Sequence, residues 1–206
     1  ERAEIDDGQF GSALNPRNPE GVKYALDTNF VLESGFTIEA YVKPTSDFNG
    51  ETNPVTNSWI KIDDLRRSNH GSEHELRLYS GSPLDNPQGY THLSYEPRNV
   101  DGSSNQVVCS GNLTNGIFNH VAIVRTVDIP NSKFKTSMYI NGIRTDKLEE
   151  SFPVPVFSGV ATSSIQFGRD DQLIDEVRIS NIARYADADT IDVPTKPFGE
   201  GDASAC

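Results

Sequence analysis

The segment SSIQFGRDDQLIDEVRISNIARYADADT, residues 163–190, decides how the rest of the chain is read. Ile165 and Phe167 alternate with Gln166 and Gly168, Asp170 and Asp171 interrupt, and the chain resumes with Ile174, Asp175, Glu176, Val177, Arg178 and Ile179. Two strands separated by an acidic turn follow from that pattern. Because successive strand residues point to opposite faces, Asp175 is expected beside Val177 and Ile179, and Glu176 beside Arg178. A carboxylate then points the same way as the core, where an ionised group needs compensation. Two readings stay open. Asp175 accepts hydrogen bonds from a neighbouring loop, or it ligates a calcium ion that ties an N-terminal loop to this strand.

Outward from that segment the same alternation recurs. FTIEAYVKP, residues 36–44, sets Phe36, Ile38, Ala40 and Val42 on one face against Thr37, Glu39, Tyr41 and Lys43 on the other, and Pro44 stops it. SWIKID (58–63), HELRLYS (74–80), YTHLSYE (90–96) and NQVVCS (105–110) are further short strands. His120 to Thr126 is apolar enough to be covered on both faces. Asn141-Gly142 is a strong hairpin signal, since both positions of a type I′ turn need φ > 0, so Met138–Ile140 is expected to pair with Ile143–Thr145. Residues 151–158 read as an irregular connection, and residues 187–192 have room for one helical turn. Many short alternating strands without a helical period predict an all-β fold, with two antiparallel sheets stacked as a sandwich. The 206 residues suit one domain, residues 9–198, between a loose leader (1–8) and a tail (199–206).

Composition narrows the partners. A net charge of -12 argues against nucleic acid and against an anionic membrane surface. No apolar run approaches the roughly 20 residues that span a bilayer, so no membrane insertion is expected. Cys109 and Cys206 would close a loop of about 100 residues, worth up to roughly 4 to 5 kcal/mol, but sequence does not say whether they pair.

Catalytic chemistry finds little to stand on. Glycan cleavage requires two carboxylates on one face, roughly 5 to 9 Å apart. Asp175 and Glu176 are adjacent in a strand and diverge, and Glu39 has no evident partner. His70, Glu73, His74 and Glu75 have a spacing that suits a helix, whereas their segment reads as a loop entering a strand. The expectation is a non-catalytic protein. Sugar binding instead asks for aromatic faces flanked by polar groups. Tyr41, Tyr79 and Trp59 lead the candidates, with Tyr90 and Tyr95 behind them and Glu39 beside Tyr41.

Taken in order, FTIEAYVKP, NHVAIVRT, MYINGIRTD and IQFGRDDQLIDEVRISNIARY resemble the laminin-G-like, concanavalin A-like jelly-roll family, over roughly Gly11 to Phe198. The resemblance implies a jelly-roll sandwich. It also implies a structural calcium held by Asp175 and a loop preceding residue 36, where the usual Asp-Gly is here Glu20-Gly21. The tail, with Ala183-Arg184-Tyr185 and then Pro194 to Phe198, resembles laminin-G-like domains of tailed-phage virion proteins. The function so implied is recognition of a glycan or protein surface at an extracellular or virion surface. A purely structural decoration role, through a homo-oligomer or virion lattice, is the alternative.

Overall fold

The strands that alternation marks out assemble into antiparallel sheets. The computed structural model describes residues 4–15, 22–25, 31–32, 35–44, 56–63, 72–80, 91–97, 107–114, 116–151, 157–158, 164–167 and 172–199. Within them run β1 (Glu4–Asp7), β2 (Ser12–Asn15), β3 (Val22–Ala25), β4 (Val31–Leu32), β5 (Phe36–Pro44), β6 (Thr56–Asp63), β7 (Ser72–Ser80) and β8 (Thr91–Pro97). They continue as β9 (Val107–Leu113), β10 (Asn119–Asp128), β11 (Lys133–Ile140), β12 (Ile143–Ser151), β13 (Phe157–Ser158), β14 (Ser164–Phe167) and β15 (Gln172–Ser180). One sheet has seven strands in the order β1-β2-β15-β5-β10-β11-β12, the other six in the order β3-β14-β6-β7-β8-β9, and β13 pairs with β4. The protein is a two-sheet antiparallel β-sandwich of the jelly-roll kind.

Register fixes which side chains share a face of the seven-stranded sheet. Ile38 lies opposite Ile123 and Ile179, and Val42 opposite Ile174, so these residues line one apolar face with Phe36, Ala40, Val121 and Met138. Phe36, Ala40, Val42, Val121 and Ile123 are fully buried there. Arg125 is buried on the same face, its guanidinium 5.1 Å from the ring centre of Phe36 and 5.4 Å from that of Phe134, with Nε donating to Thr136 Oγ1 at 3.1 Å. Cation–π contact and a hydrogen bond offset part of the desolvation that a buried cation suffers.

The opposite face of β5 is covered too. Residues 181–199 leave β15 and run back across the sheet as an irregular strap. Ala183, Tyr185 and Ile191 of the strap pack on Ala122, Val124 and Tyr139. Ile191 N–H donates to Gly142 O and Arg144 N–H donates to Asp189 O, both at 2.8 Å, which aligns the strap along the β11–β12 hairpin. That hairpin turns as expected, with φ of +49° at Asn141 and +80° at Gly142. Residues 187–192 do not close a helical turn: Thr190 bridges Ile143, and Asp187 and Asp189 are drawn out by Arg144.

Two other expectations need correction. Glu4–Asp7 is not part of a loose leader, because it forms β1 and pairs with β2 from Glu4–Asn15 to Asp7–Ser12. Residues 157–158 of the supposed irregular connection form β13. Cys206 lies outside the described residues, so its pairing with Cys109 is not described.

Candidate functional site

The strand β15 does not keep the simple alternation that its sequence suggests. Asp175 lies opposite Tyr41 while Arg178 lies opposite Glu39, so Glu176 and Val177 face the single residue Ala40 across a bulge, and Glu176 adopts φ of +49°. A β-bulge adds one residue to one strand and reverses the inside–outside phase beyond it. The phase change corrects the expected faces: Arg178, not Val177 and Ile179, shares a face with Asp175. The face is the one beneath the strap, and it also carries Glu39, Tyr41 and His120, since His120 lies opposite Tyr41.

Glu39 is the centre of this face. Its side chain is 0% exposed, and three neighbours supply donors. Arg178 reaches Oε1 with both Nε and a terminal nitrogen at 2.8 Å. Tyr185 OH donates to Oε2 at 2.8 Å, and His120 Nε2 lies 3.2 Å from the same oxygen. Burial works to raise the Glu39 pKa, but the hydrogen bonds from His120, Arg178 and Tyr185 and the Arg178 charge outweigh it and hold the carboxyl below its ordinary value. Burial and the Glu39 charge push the Tyr185 phenol up. His120 Nδ1 is buried with no hydrogen-bond partner among the described residues.

Covering segments complete the arrangement. Phe198 stacks on the Arg178 guanidinium at 3.9 Å, and its N–H donates to Glu176 Oε2 at 2.6 Å. Tyr41 OH donates to Pro194 O. Phe10 packs edge-on against the Tyr41 ring at 5.2 Å, and the same distance separates the Tyr41 and His120 ring centres. Burial, then Glu39 and Glu176, push the Tyr41 phenol up to about 12. The strap is clasped at its middle by Tyr139 OH donating to Ala188 O at 2.9 Å, and by Asp187 accepting from Arg144 and Lys147 at 2.8 Å each.

The ligand-binding expectations for Tyr41 and Glu39 are therefore corrected as to exposure. Tyr41 is 4% exposed and Glu39 fully buried, because β5 is an inner strand with the strap over its polar face. Trp59 falls at a register irregularity of β6 between Ser58 and Ile60, and Tyr79 lies opposite Thr56 and His92 in β7. Their side chains lie outside the described residues, as do Glu20 and Gly21. Sequence reasoning missed His120, Arg178 and Tyr185. One available signal was the continuous apolar character of His120 to Thr126, which already required cover on both faces of β10.

Asp175 realises the loop reading. Its Oδ2 accepts the Phe10 N–H at 3.1 Å and its Oδ1 the Glu176 N–H at 2.8 Å, while a Cβ on Gly8 would come within 2.5 Å of Oδ2. These are donors, the complement of an anion. A calcium ion requires six to eight oxygens, and the described residues hold no group of three or more acidic, His or Cys side chains placed for a metal. Glu20 and Gly21, the other expected calcium ligands, lie outside the described residues, so what is described at Asp175 is its pair of backbone donors.

Register opposite Tyr41 does put Asp175 on the same face as Glu39, as glycan cleavage would require. Both are occupied by donors, and the Glu39 pKa is lowered, whereas a general acid needs it raised.

The profile of the concanavalin A-like lectin/glucanases superfamily, in its laminin-G form, matches residues 20–188. The chain belongs to this superfamily. The superfamily's sandwich recurs in solved structures of low identity. The receptor-binding domain of botulinum neurotoxin mosaic serotype C/D is similar at a TM-score of 0.54 and 12% identity, covering 89% of this chain and 42% of that one. The endo-β-1,4-glucuronan lyase of the fungus Trichoderma reesei is similar at 0.53 and 9%, covering 86% of each chain. The IT-sialidase CBM40 of Ruminococcus gnavus, bound to α2,3-sialyllactose, gives 0.48 and 17%, covering 83% of this chain and 90% of that one. No curated protein matches the chain in sequence. Likeness at these identities concerns the fold, and superfamily members with this fold divide between binding and catalysis.

Proposed function

We propose that this chain is a non-catalytic binding domain that recognises a carbohydrate or a glycan-bearing surface outside the cell or on a virion. The observation that carries the reading is the state of the buried carboxylates in a member of a lectin and glucanase superfamily. Glu39 is saturated by Arg178, Tyr185 and His120, and Asp175 by two backbone amides, so the pair that could cleave a glycosidic bond is committed to holding the fold. A net charge of -12 favours neutral glycans over nucleic acid or anionic lipid. Calcium has no part in this reading.

The experiment has two arms run on one preparation. Binding to an array of immobilised oligosaccharides, with no oligosaccharide released from soluble polysaccharides, supports the proposal. Release of oligosaccharides refutes it. A fixed oligomer with no glycan bound favours a structural decoration role instead.

A further inference from the structure

The strap is made like a ligand. No residue from Asn181 to Gly199 is buried, and there is no strand or helix in it beyond the bridge at Thr190. Beside the apolar contacts of Ala183 and Ile191 it presents polar groups to the sheet: the Tyr185 hydroxyl to Glu39, the Ala188 carbonyl to Tyr139 OH, and the Pro194 carbonyl to Tyr41 OH. A hydroxyl that donates and oxygens that accept are the groups that a pyranose ring offers. Beneath them, Tyr41 and Tyr139 supply aromatic surface, and Glu39, His120 and Arg178 supply planar hydrogen-bonding groups. Apolar C–H faces pack on aromatic side chains, while sugar hydroxyls need donors and acceptors in fixed places. The site even carries a vacancy in its hydrogen bonding, because the strap leaves buried His120 Nδ1 without a described partner. An orphaned buried polar atom calls for an explanation.

We propose that residues 181–199 are an autoinhibitory strap occupying a sugar-binding face formed by β5, β10, β11 and β15, and that a neutral pyranose chain takes this face when the strap lifts. The inference rests on the carbohydrate-binding reading above and adds where the sugar goes and what holds it off. A ligand that binds only the open form has its affinity reduced by the fraction of molecules that are open. Loosening the strap at a point remote from the sugar-facing groups must then tighten binding.

Arg144 and Lys147 provide that point. Both are partly exposed on β12, and both hold Asp187 of the strap without touching Glu39, His120 or Tyr41. The test is the full-length Arg144→Ser/Lys147→Ser variant, measured on an array of neutral glucose, galactose and mannose oligosaccharides. Weakening these partly exposed ion pairs should raise the open fraction, and with it the affinity, roughly tenfold. The Ile191 amide should exchange faster with solvent, and a free peptide of residues 181–199 should compete with the sugar.

Faster exchange at Ile191 without tighter binding overturns the proposal. Binding by the wild type that strap variants and peptide leave unchanged, and that Trp59→Ala or Tyr79→Ala abolishes, also overturns it while the binding function stands. No binding by any form removes both. Should the double variant leave Ile191 exchange unchanged, Gly142→Val applies the same test, because a Cβ there comes within 2.7 Å of Ile191 O and 2.9 Å of Val193 Cγ2.

Discussion

Substituting Glu39 by Ala should be among the most damaging single changes in the seven-stranded sheet. The carboxylate is fully buried, and its loss strands the Arg178 guanidinium, 9% exposed, together with the Tyr185 hydroxyl and His120 Nε2. Breaking a buried ion pair by removing one partner costs about 3 to 5 kcal/mol, because the remaining charge stays buried and uncompensated. At about 2 to 4 °C per kcal/mol for a chain of this size, the melting temperature should fall by roughly 6 to 20 °C. Tyr185→Phe removes one hydrogen bond to a charged acceptor and should cost about 1.5 to 3 kcal/mol. The two changes share Oε2, so a double-mutant cycle should show coupling of at least about 0.5 kcal/mol. Urea denaturation followed by far-UV circular dichroism and by Trp59 fluorescence measures all four proteins. The pH arm has a definite sign. The folded pKa of Glu39 lies below the ordinary 4.5, so the stability contributed by its ionised form is fully present above about that pH and is lost as pH falls through the folded value. Glu39→Gln should therefore flatten the dependence of stability on pH below 4.5. An Ala variant within about 1 kcal/mol of wild type, the cost of an ordinary substitution, would refute this account of the network.

Gly142→Ala should destabilise by about 1 to 2 kcal/mol, since the residue sits at φ of +80° and the added methyl meets Ile191 O; thermal melting of the single variant checks it. Chelation with EDTA should leave the melting temperature unchanged, and Asp175→Asn should lower stability by about 1 to 3 kcal/mol with or without chelator, because the amide presents one acceptor oxygen to two backbone donors. A chelator-dependent midpoint in the wild type would restore calcium and withdraw the backbone-donor account of Asp175.

Much of the framework was legible because it obeys one period. Phe36, Ile38, Ala40 and Val42 alternate, and all four are buried. Asn141-Gly142 turned where φ > 0 was demanded. The site was less legible because two of its determinants are not periodic. Nothing local in Asp175-Glu176-Val177-Arg178 announces a bulge, since Glu is not a residue that ordinarily marks positive φ. A single extra residue then carries Arg178 from the expected side of the strand to Glu39. The strap is a second, purely tertiary effect: residues 181–199 have no apolar period of their own, so a polar alternation such as Thr37, Glu39 and Tyr41 reads as solvent-facing when it is covered.

The tail resemblance can now be placed in physical terms. The residues that carry it are Ala183, Arg184 and Tyr185, then Pro194 through Phe198, and these are largely the strap's anchors. Ala183 packs on the sheet, Arg184 donates to Ser180 Oγ at 2.6 Å, Tyr185 meets Glu39, Pro194 accepts from Tyr41, and Phe198 covers Arg178. A motif that looks like a signature of assembly is here a set of contacts made within one chain. Two of these anchors depend on the bulge, Tyr185 through Glu39 and Phe198 through Arg178, because without the phase change Arg178 would sit on the apolar face and Glu39 would lose its cation. Burying Glu39 beneath a strap would then cost more than a few polar contacts return. Arg178 therefore links network and strap: deleting Val177 should leave the strap in place, because Arg178 then follows Asp175 by two positions and still lies opposite Glu39, whereas Arg178→Ala, which removes the Glu39 cation and the Phe198 stack, should speed exchange of the Ile191 amide.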